Sequence, residues 1–169
     1  MMNRRNNMKA ISIEPMYASA IALNYKTIEL RTWKTNYRGD ILICTTKSVP
    51  VTSDKDKYPL GKAIAIAELK DCIKYKPYLR SYCLADRFDN LSGMYCFLLD
   101  NIRPIRPIAI RGQQRIYNVP IEKEEIEILD FDSLNHPESL INYWLENSYI
   151  KISPLNSIKD VVYRSRSRW

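Results

Sequence analysis

The sequence predicts an α+β domain in which strands outnumber helices. One observation is the strand, helix, strand order of residues 9–31, and another is the long alternating run at residues 62–72. Successive side chains of a strand point to opposite faces, so alternation of this kind indicates a strand with one buried face. The third observation is that apolar runs at residues 41–46 and 94–100 follow turns that contain Asn and Gly. A chain of 169 residues is long enough to bury one core.

The first elements follow from local chemistry. Residues 11–14 alternate as a short strand, and Pro15 suits the first turn of a helix, where its missing N–H is not needed. Met16, Ala20 and Leu23 share one helical face. Asn24 then serves as a left-handed C-cap. The helix should therefore end just before the second strand.

That second strand, KTIELR at residues 26–31, carries the most informative polar side chains. Alternation puts Glu29 and Arg31 on one face and Lys26 on the other. A twist or bulge where the strand begins would bring Lys26 round to them. A cation, a carboxylate and a guanidinium would then lie within reach of one ligand.

The later segments are predicted from breakers and periodicity. Residues 47–60 form a surface loop, and residues 77–86 form a helix. Two prolines make residues 101–110 an edge or extended segment, because proline cannot donate to a ladder. The acidic residues 121–132 form a last strand or a short amphipathic piece at a solvated edge. A final helix should begin near residue 137 and bury an apolar stripe: Leu140, Ile141, Trp144 and Leu145.

The run EPMYASAIALNYKTIELRTWKTNYRG resembles the signature of the ASCH domain family, in which a strand and a helix precede a G-x-K-x-x-E-x-R element. Here the element reads NYKTIELR at residues 24–31, with Asn24 in place of the leading glycine, and Asn tolerates the same positive φ. The resemblance extends over residues 9–119. It implies a PUA-like mixed β-barrel with flanking helices, and binding of RNA or another nucleic acid.

With this resemblance, the chain is expected to have three parts. Residues 1–8 form a disordered basic N-terminal tail. Residues 9–132 form the ASCH domain, with its PUA-like β-barrel. Residues 133–169 form a short C-terminal extension, in which a helix and a basic tail pack on the barrel.

The charge distribution favours a nucleic-acid partner. The formal net charge is +7, and residues 1–120 carry 20 Lys or Arg against 10 Asp or Glu, whereas residues 121–150 carry 1 against 8. A basic surface attracts phosphates by releasing counterions, although excess positive charge also keeps proteins in solution. The basic part is the expected barrel.

Other classes of site and location are disfavoured. The four cysteines show no C-x-x-C spacing and the chain has one histidine, so we expect no metal and no cofactor. No apolar run approaches the roughly 20 residues that cross a bilayer, and the polar start lacks a signal peptide's apolar core. We therefore expect a cytoplasmic protein with no membrane partner.

The first functional hypothesis is a cleft that binds RNA or single-stranded nucleic acid, or a modified nucleotide. Arginine forks suit phosphate, and aromatic rings stack on bases with about 1–3 kcal/mol each. In ASCH relatives a basic turn and an aromatic lie beside the cleft, which here corresponds to residues 111–117. The alternative is that Trp33 and Tyr117 fill the core and that Glu29 and Arg31 form a structural ion pair. The candidate binding residues are Lys26, Arg31, Trp33, Tyr37, Arg38, Arg111, Gln113, Arg115 and Tyr117.

The second hypothesis is an enzyme. Some ASCH relatives are amidohydrolases of acylated nucleosides such as N4-acetylcytidine, and use a lysine, a threonine three residues later and a glutamate from another strand. Lys26 matches the lysine, Glu29 stands where the threonine would be, and Glu68 is the candidate second carboxylate, because it lies among apolar neighbours of its strand. Other relatives have been described as ribonucleases, but acid–base cleavage usually draws on histidine, and His136 lies outside the resemblance.

Overall fold

A computed structural model describes residues 7–48, 58–130 and 136–146 of the chain. Six strands form one mixed sheet, and short helices flank it. The strands are β1 (Met8–Ile13), β2 (Ile28–Arg31), β3 (Gly39–Thr45), β4 (Lys62–Lys74), β5 (Tyr95–Ala109) and β6 (Ile116–Val119). The α-helices are α1 (Pro15–Ala22), α2 (Arg80–Cys83) and α3 (Pro137–Glu146), and single 3₁₀ turns cover Pro77–Leu79 and Lys123–Glu125.

The strands lie in the order β2, β5, β4, β3, β1, β6. β1 runs parallel to β3, and the other neighbouring pairs are antiparallel. The α+β class is therefore confirmed, but closure of a barrel is not. Closure would require backbone hydrogen bonds between the edge strands, and within the described ranges β2 pairs only with β5 and β6 only with β1.

Both faces of the sheet are covered near its centre. On β3, Ile41 and Ile43 belong to the main core with α1, whereas Leu42 and Cys44 belong to a second core on the other face. A strand buried on both faces reads as a continuous apolar run, which explains the sequence of residues 41–44. Leu140 and Ile141 of α3 are also buried in the main core, as their spacing predicted.

The turn after α1 sets the position of Lys26. Asn24 has a φ of 59°, which confirms the left-handed cap. The backbone N–H groups of Tyr25 and Lys26 both donate to the carbonyl of Ala20, at 2.8 and 3.2 Å. Because its amide caps the helix, Lys26 lies before the strand, which begins at Ile28 rather than at residue 26. The alternating side-chain directions of β2 therefore do not apply to Lys26, and its side chain can reach Glu29.

The prediction that residues 101–110 form an edge or extended segment is confirmed, because all of them except Ile110 belong to the second half of β5. β5 continues through Pro104 and Pro107 as one strand of 15 residues. The partner β2 reaches only Leu98, so the second half of β5 has the ladder of β4 on one side alone. The acidic segment covers the other side, where the Arg106 N–H donates to the Glu127 carbonyl at 2.9 Å. Prolines are tolerated on such an edge.

The predicted helix at residues 77–86 is shorter than expected. It consists of the 3₁₀ turn and α2, and ends at Cys83. Leu84 follows with a φ of 55°, and its side chain is buried. The left-handed backbone at Leu84 stops the helix, and burial of its side chain offsets the strain.

Some predictions fall outside the described ranges. These are residues 1–6 of the tail predicted at residues 1–8, most of the loop at residues 47–60, residues 131–135, and the chain beyond residue 146. The side chains of Trp144 and Leu145 also lie outside them. Met8, the last residue of the predicted tail, lies in β1. None of the helices in the described ranges has the length and apolar character that a bilayer crossing requires.

The cap after α1 gives a stability prediction. Asn24 is exposed, so a substitution there acts mainly through its backbone. Asn24→Val should lower the free energy of unfolding by about 1–2 kcal/mol, because a branched Cβ disfavours positive φ. Asn24→Gly is the matched control and should change it by less than about 0.5 kcal/mol. Urea denaturation measures both, and equal stabilities would contradict the left-handed cap.

Candidate nucleic-acid interface

The Lys26 ammonium is buried and fully surrounded by acceptors. Its side chain is 3% exposed, and Nζ donates to the carbonyls of Ile28 at 2.6 Å and Cys83 at 2.7 Å. Oε2 of Glu29 lies 3.3 Å from the same nitrogen. An ammonium has three N–H donors, and here three oxygens surround it. Lys26 thereby joins the start of β2 to the end of α2.

Glu29 and Arg31 extend this arrangement toward β1. Oε1 of Glu29 lies 3.1 Å from Nη2 of Arg31, and Nη2 also donates to the Ser12 carbonyl at 2.9 Å. The three charged residues predicted to meet are therefore in contact, in the order Lys26, Glu29, Arg31. The Nε of Arg31 is buried and has no hydrogen-bond partner among the described residues.

A cavity of about 380 Å³ adjoins Lys26 and Glu29. Its wall includes the ring of Tyr17, whose centroid lies 5.3 Å from Lys26 Nζ. Burial, followed by the nearby carboxylate of Glu14, raises the pKa of Tyr17, so its hydroxyl remains a hydrogen-bond donor at neutral pH. The cavity is lined by Tyr17, Lys26, Glu29, Leu30, Cys83, Ala85, Asp89, Asn90, Leu91 and Met94. This lining contains two carboxylates and no guanidinium.

Arg115 and Trp33 lie near the Arg31 end of the series Lys26, Glu29, Arg31. The Arg115 guanidinium carbon is 5.3 Å from the Trp33 ring centroid, and Trp33 packs edge-on against Phe97 at 5.1 Å. Ile116, the first residue of β6, pairs with Ile11, so Arg115 immediately before it lies near Ser12, the residue that Arg31 contacts. Both arginines therefore lie near Ser12, and Arg115 also lies over the indole.

The loop between β5 and β6 presents two further predicted residues. Arg111 and Gln113 are exposed, and both line a shallow cavity of about 230 Å³ with Tyr117. The loop packs closely on β1, since a Cβ at Gly112 would lie 3.0 Å from Ser12 Oγ. A Cβ at position 112 would require the Ser12 side chain or the loop to shift.

Tyr117 itself belongs to the core. It is 6% exposed, and its hydroxyl forms a hydrogen bond of 2.8 Å with Ser12 Oγ. Burial raises the pKa of Tyr117 to about 12, so the hydroxyl stays protonated. The structure thus favours the core alternative for Tyr117, and its ring offers little free face for stacking.

Three predicted residues are held elsewhere. The Arg38 guanidinium contacts Asp71 at 2.7 Å, and the Tyr37 hydroxyl donates to the Asp40 carbonyl at 2.5 Å. Glu68 accepts from Lys70 at 3.2 Å on β4 and is not among the residues that line the larger cavity. The set proposed for catalysis, Lys26, Glu29 and Glu68, is therefore not gathered around that cavity.

Sequence reasoning missed several contributors to the cavity. The sequence pattern predicted only a helical position for Tyr17, and only turn positions for Asp89 and Asn90. The carbonyl of Cys83 is a backbone group, so no side chain signals it. In the described ranges, no three His, Cys, Asp or Glu side chains come close enough to hold a metal ion.

The buried ammonium gives a second stability prediction. Lys26→Met removes the donor for two carbonyls and leaves the Glu29 carboxylate with Arg31 alone. It should lower the free energy of unfolding by about 3 kcal/mol, because a buried charge loses its partner. The control is Lys70→Met, whose half-exposed ammonium pairs with Glu68 and should cost less than about 1 kcal/mol. Urea denaturation measures both free energies of unfolding. If Lys26→Met lowers that free energy as little as Lys70→Met does, the Lys26 contacts are not stabilising.

Comparisons with known proteins agree with this fold. The sequence profile of the ASCH domain matches residues 11–136. A crystal structure of ASCH from Zymomonas mobilis is 22% identical, with a TM-score of 0.52 over 70% of this chain and 90% of that chain. Two single-substitution mutants of the Zymomonas mobilis protein are each 21% identical, with TM-scores of 0.52. One covers 81% of this chain and 98% of its own, and the other covers 82% and 97%.

These structural likenesses concern the fold. No curated protein matches the sequence. The family profile spans more than half of the 169 residues and includes β1 through β6. This chain therefore belongs to the ASCH domain family.

Proposed function

We propose that this protein binds single-stranded nucleic acid, with RNA as the first candidate. The observation that carries the proposal is the Arg115 guanidinium over the Trp33 ring, near Ser12, whose carbonyl accepts from Arg31. A guanidinium in this position offers its plane to a base and its N–H groups to phosphate. Arg111 and Arg115 are both exposed, and neither forms an ion pair with another described residue. They remain available to phosphates.

The larger cavity suits a base rather than a phosphate. The carboxylates of Glu29 and Asp89 and the amide of Asn90 line it, and no arginine does. Carboxylates accept hydrogen bonds from exocyclic amino groups of bases, and they repel phosphate. In this proposal one unstacked base, or a modified nucleotide, enters the cavity while the arginines hold the backbone outside. The ASCH family is generally linked to RNA binding, which agrees with this division.

Binding is favoured over hydrolysis by the surroundings of Lys26. A lysine that acts as base or nucleophile needs a free lone pair. Lys26 Nζ is instead surrounded by two carbonyl oxygens and one carboxylate oxygen. Glu29, in the position where the amidohydrolases have threonine, supplies that carboxylate and contacts Arg31 as well. Both residues hold the wall of the cavity.

The arginines give a salt-dependence prediction. Affinity for single strands falls with salt, and the slope of log K against log salt changes by about 0.7 for each phosphate contact. Arg115→Ala and Arg111→Ala should each reduce the steepness of that slope by about 0.7 and weaken binding at low salt. Fluorescence anisotropy of a labelled oligocytidine, whose bases carry an exocyclic amino group, titrated at several salt concentrations, measures both quantities.

The control is Arg106→Ala, which removes an equal charge from an exposed arginine that pairs with Glu127. It should leave the slope almost unchanged. If the three variants weaken binding equally, the attraction is due to net charge rather than to this interface. If the wild-type protein does not bind at low salt, the proposal is wrong.

The enzymatic alternative gives a separate prediction. Incubation with N4-acetylcytidine should release no cytidine above the background of a protein-free control, because three protein oxygens already surround Lys26 Nζ. Liquid chromatography of the reaction mixture detects either nucleoside. Turnover by the wild-type protein that disappears in Lys26→Arg would overturn this view and favour the amidohydrolase.

A further inference from the structure

A group of exposed aromatic rings lies on residues 75–91. Tyr78 is 68% exposed, Tyr82 is 54% exposed and Phe88 is 77% exposed. These are three of the four exposed large apolar side chains in the part of the chain that the structure describes. We call this group, with the neighbouring Arg80 and Arg87, the aromatic surface.

Arg80 connects the helical turns of residues 77–83 to the loop that carries Phe88. Its guanidinium lies over the Tyr75 ring, with 5.8 Å from Cζ to the ring centroid. Its N–H groups also donate to the carbonyl of Asp86 and, at 2.8 Å, to that of Asp89. The loop that carries Phe88 is therefore tied to the helical turns that carry Tyr78 and Tyr82.

The exposure of the rings is selective. In the same segment the aliphatic side chains of Leu79, Leu84 and Leu91 are buried, at 8%, 4% and 6% exposure. The segment thus has an inner side that packs, and its outward side is aromatic. The Arg87 guanidinium lies over the Phe88 ring, with 4.5 Å from Cζ to the ring centroid, so a cation lies next to that exposed ring.

Rings flanked by arginines have the chemistry of a stacking platform. Every base has a π-face, so a strand binds such a platform whatever its sequence, and the cations attract its phosphates. An aliphatic protein partner would gain little from the guanidinium groups. The composition of the aromatic surface therefore favours single-stranded nucleic acid as its occupant.

The aromatic surface also adjoins the larger cavity. Cys83, Ala85 and Asp89 belong to the segment of residues 75–91, and they form part of the cavity wall. Glu29, which contacts Arg31, is in the same wall. A strand held at Arg31 and Arg115 would reach residues 75–91 by crossing the mouth of this cavity.

We propose that the aromatic surface is a second contact site for single-stranded nucleic acid, on which bases next to the one in the cavity stack. The inference rests on the proposed function and extends its footprint. It requires that long strands bind more tightly than short ones, and that the difference depend on the exposed rings.

The test compares oligocytidines of about 4 and about 12 nucleotides, within the range of site sizes for single-strand binding domains. The variant is Tyr82→Ser with Phe88→Ser, which removes two exposed rings and no charge. The control is Ile128→Ser, because Ile128 is 45% exposed and lies outside this segment. Anisotropy gives the affinities, and sedimentation velocity gives the oligomeric state of each protein.

We expect the double variant to lose about tenfold or more in affinity for the long strand and to bind the short strand like the wild type. Ile128→Ser should match the wild type with both strands. If the double variant binds both strands like the wild type, the proposal of a second contact site is wrong. The proposed interface at Arg31, Arg111 and Arg115, here called the arginine interface, would be unaffected. If that variant instead changes the oligomeric state alone, the rings bind another copy of the protein.

Arg115→Ala separates this inference from the proposed function. It should weaken the binding of both strand lengths, because the arginine interface is used by either. Wild-type protein that binds neither length would overturn the proposed function and the second contact site together.

Discussion

The buried Lys26 ammonium is the constraint on which the rest of the site depends. Removing such a charge from water costs several kcal/mol, so its contacts must be complete. They are supplied by the first residue of β2, by the end of α2 and by Glu29. Because Glu29 is fixed in this way, it can orient Arg31 toward β1. The cavity wall and the arginine interface are thus held by one buried cation.

Much of this arrangement follows from local sequence. Pro15 and Asn24 mark the ends of α1, and the order of charges in NYKTIELR predicts that Lys26, Glu29 and Arg31 meet. The Cys83 carbonyl could not be predicted, because a backbone acceptor 57 residues away leaves no trace in side-chain patterns. Nor could the path of β5, since its tolerance of proline depends on where β2 ends. Closure of a barrel was inferred from resemblance, and the pairing of the described strands does not include it.

Charges in this domain fall into two groups, those that hold the fold and those that face outward. Besides Lys26, the main structural example is Asp40, which contacts Arg103 and Lys123, each at 2.5 Å. Burial opposes ionisation of Asp40, but its hydrogen bonds to these two cations prevail and lower its pKa. These contacts join β3, β5 and the acidic segment. The predicted arginines differ in the same way, since Arg38 is held by Asp71 and the loop arginines are not.

The place of β1 in the sheet has a consequence for biosynthesis. β1 contains residues 8–13, but it lies between β3 and β6, and β6 ends at Val119. Ribosomes deliver the N-terminal strand first, so it waits for more than a hundred residues before its second neighbour emerges. Such distant pairing slows folding and leaves an apolar strand open to wrong partners in the meantime. Chaperones that shield nascent chains would therefore matter more for this domain than for a helical bundle of the same length.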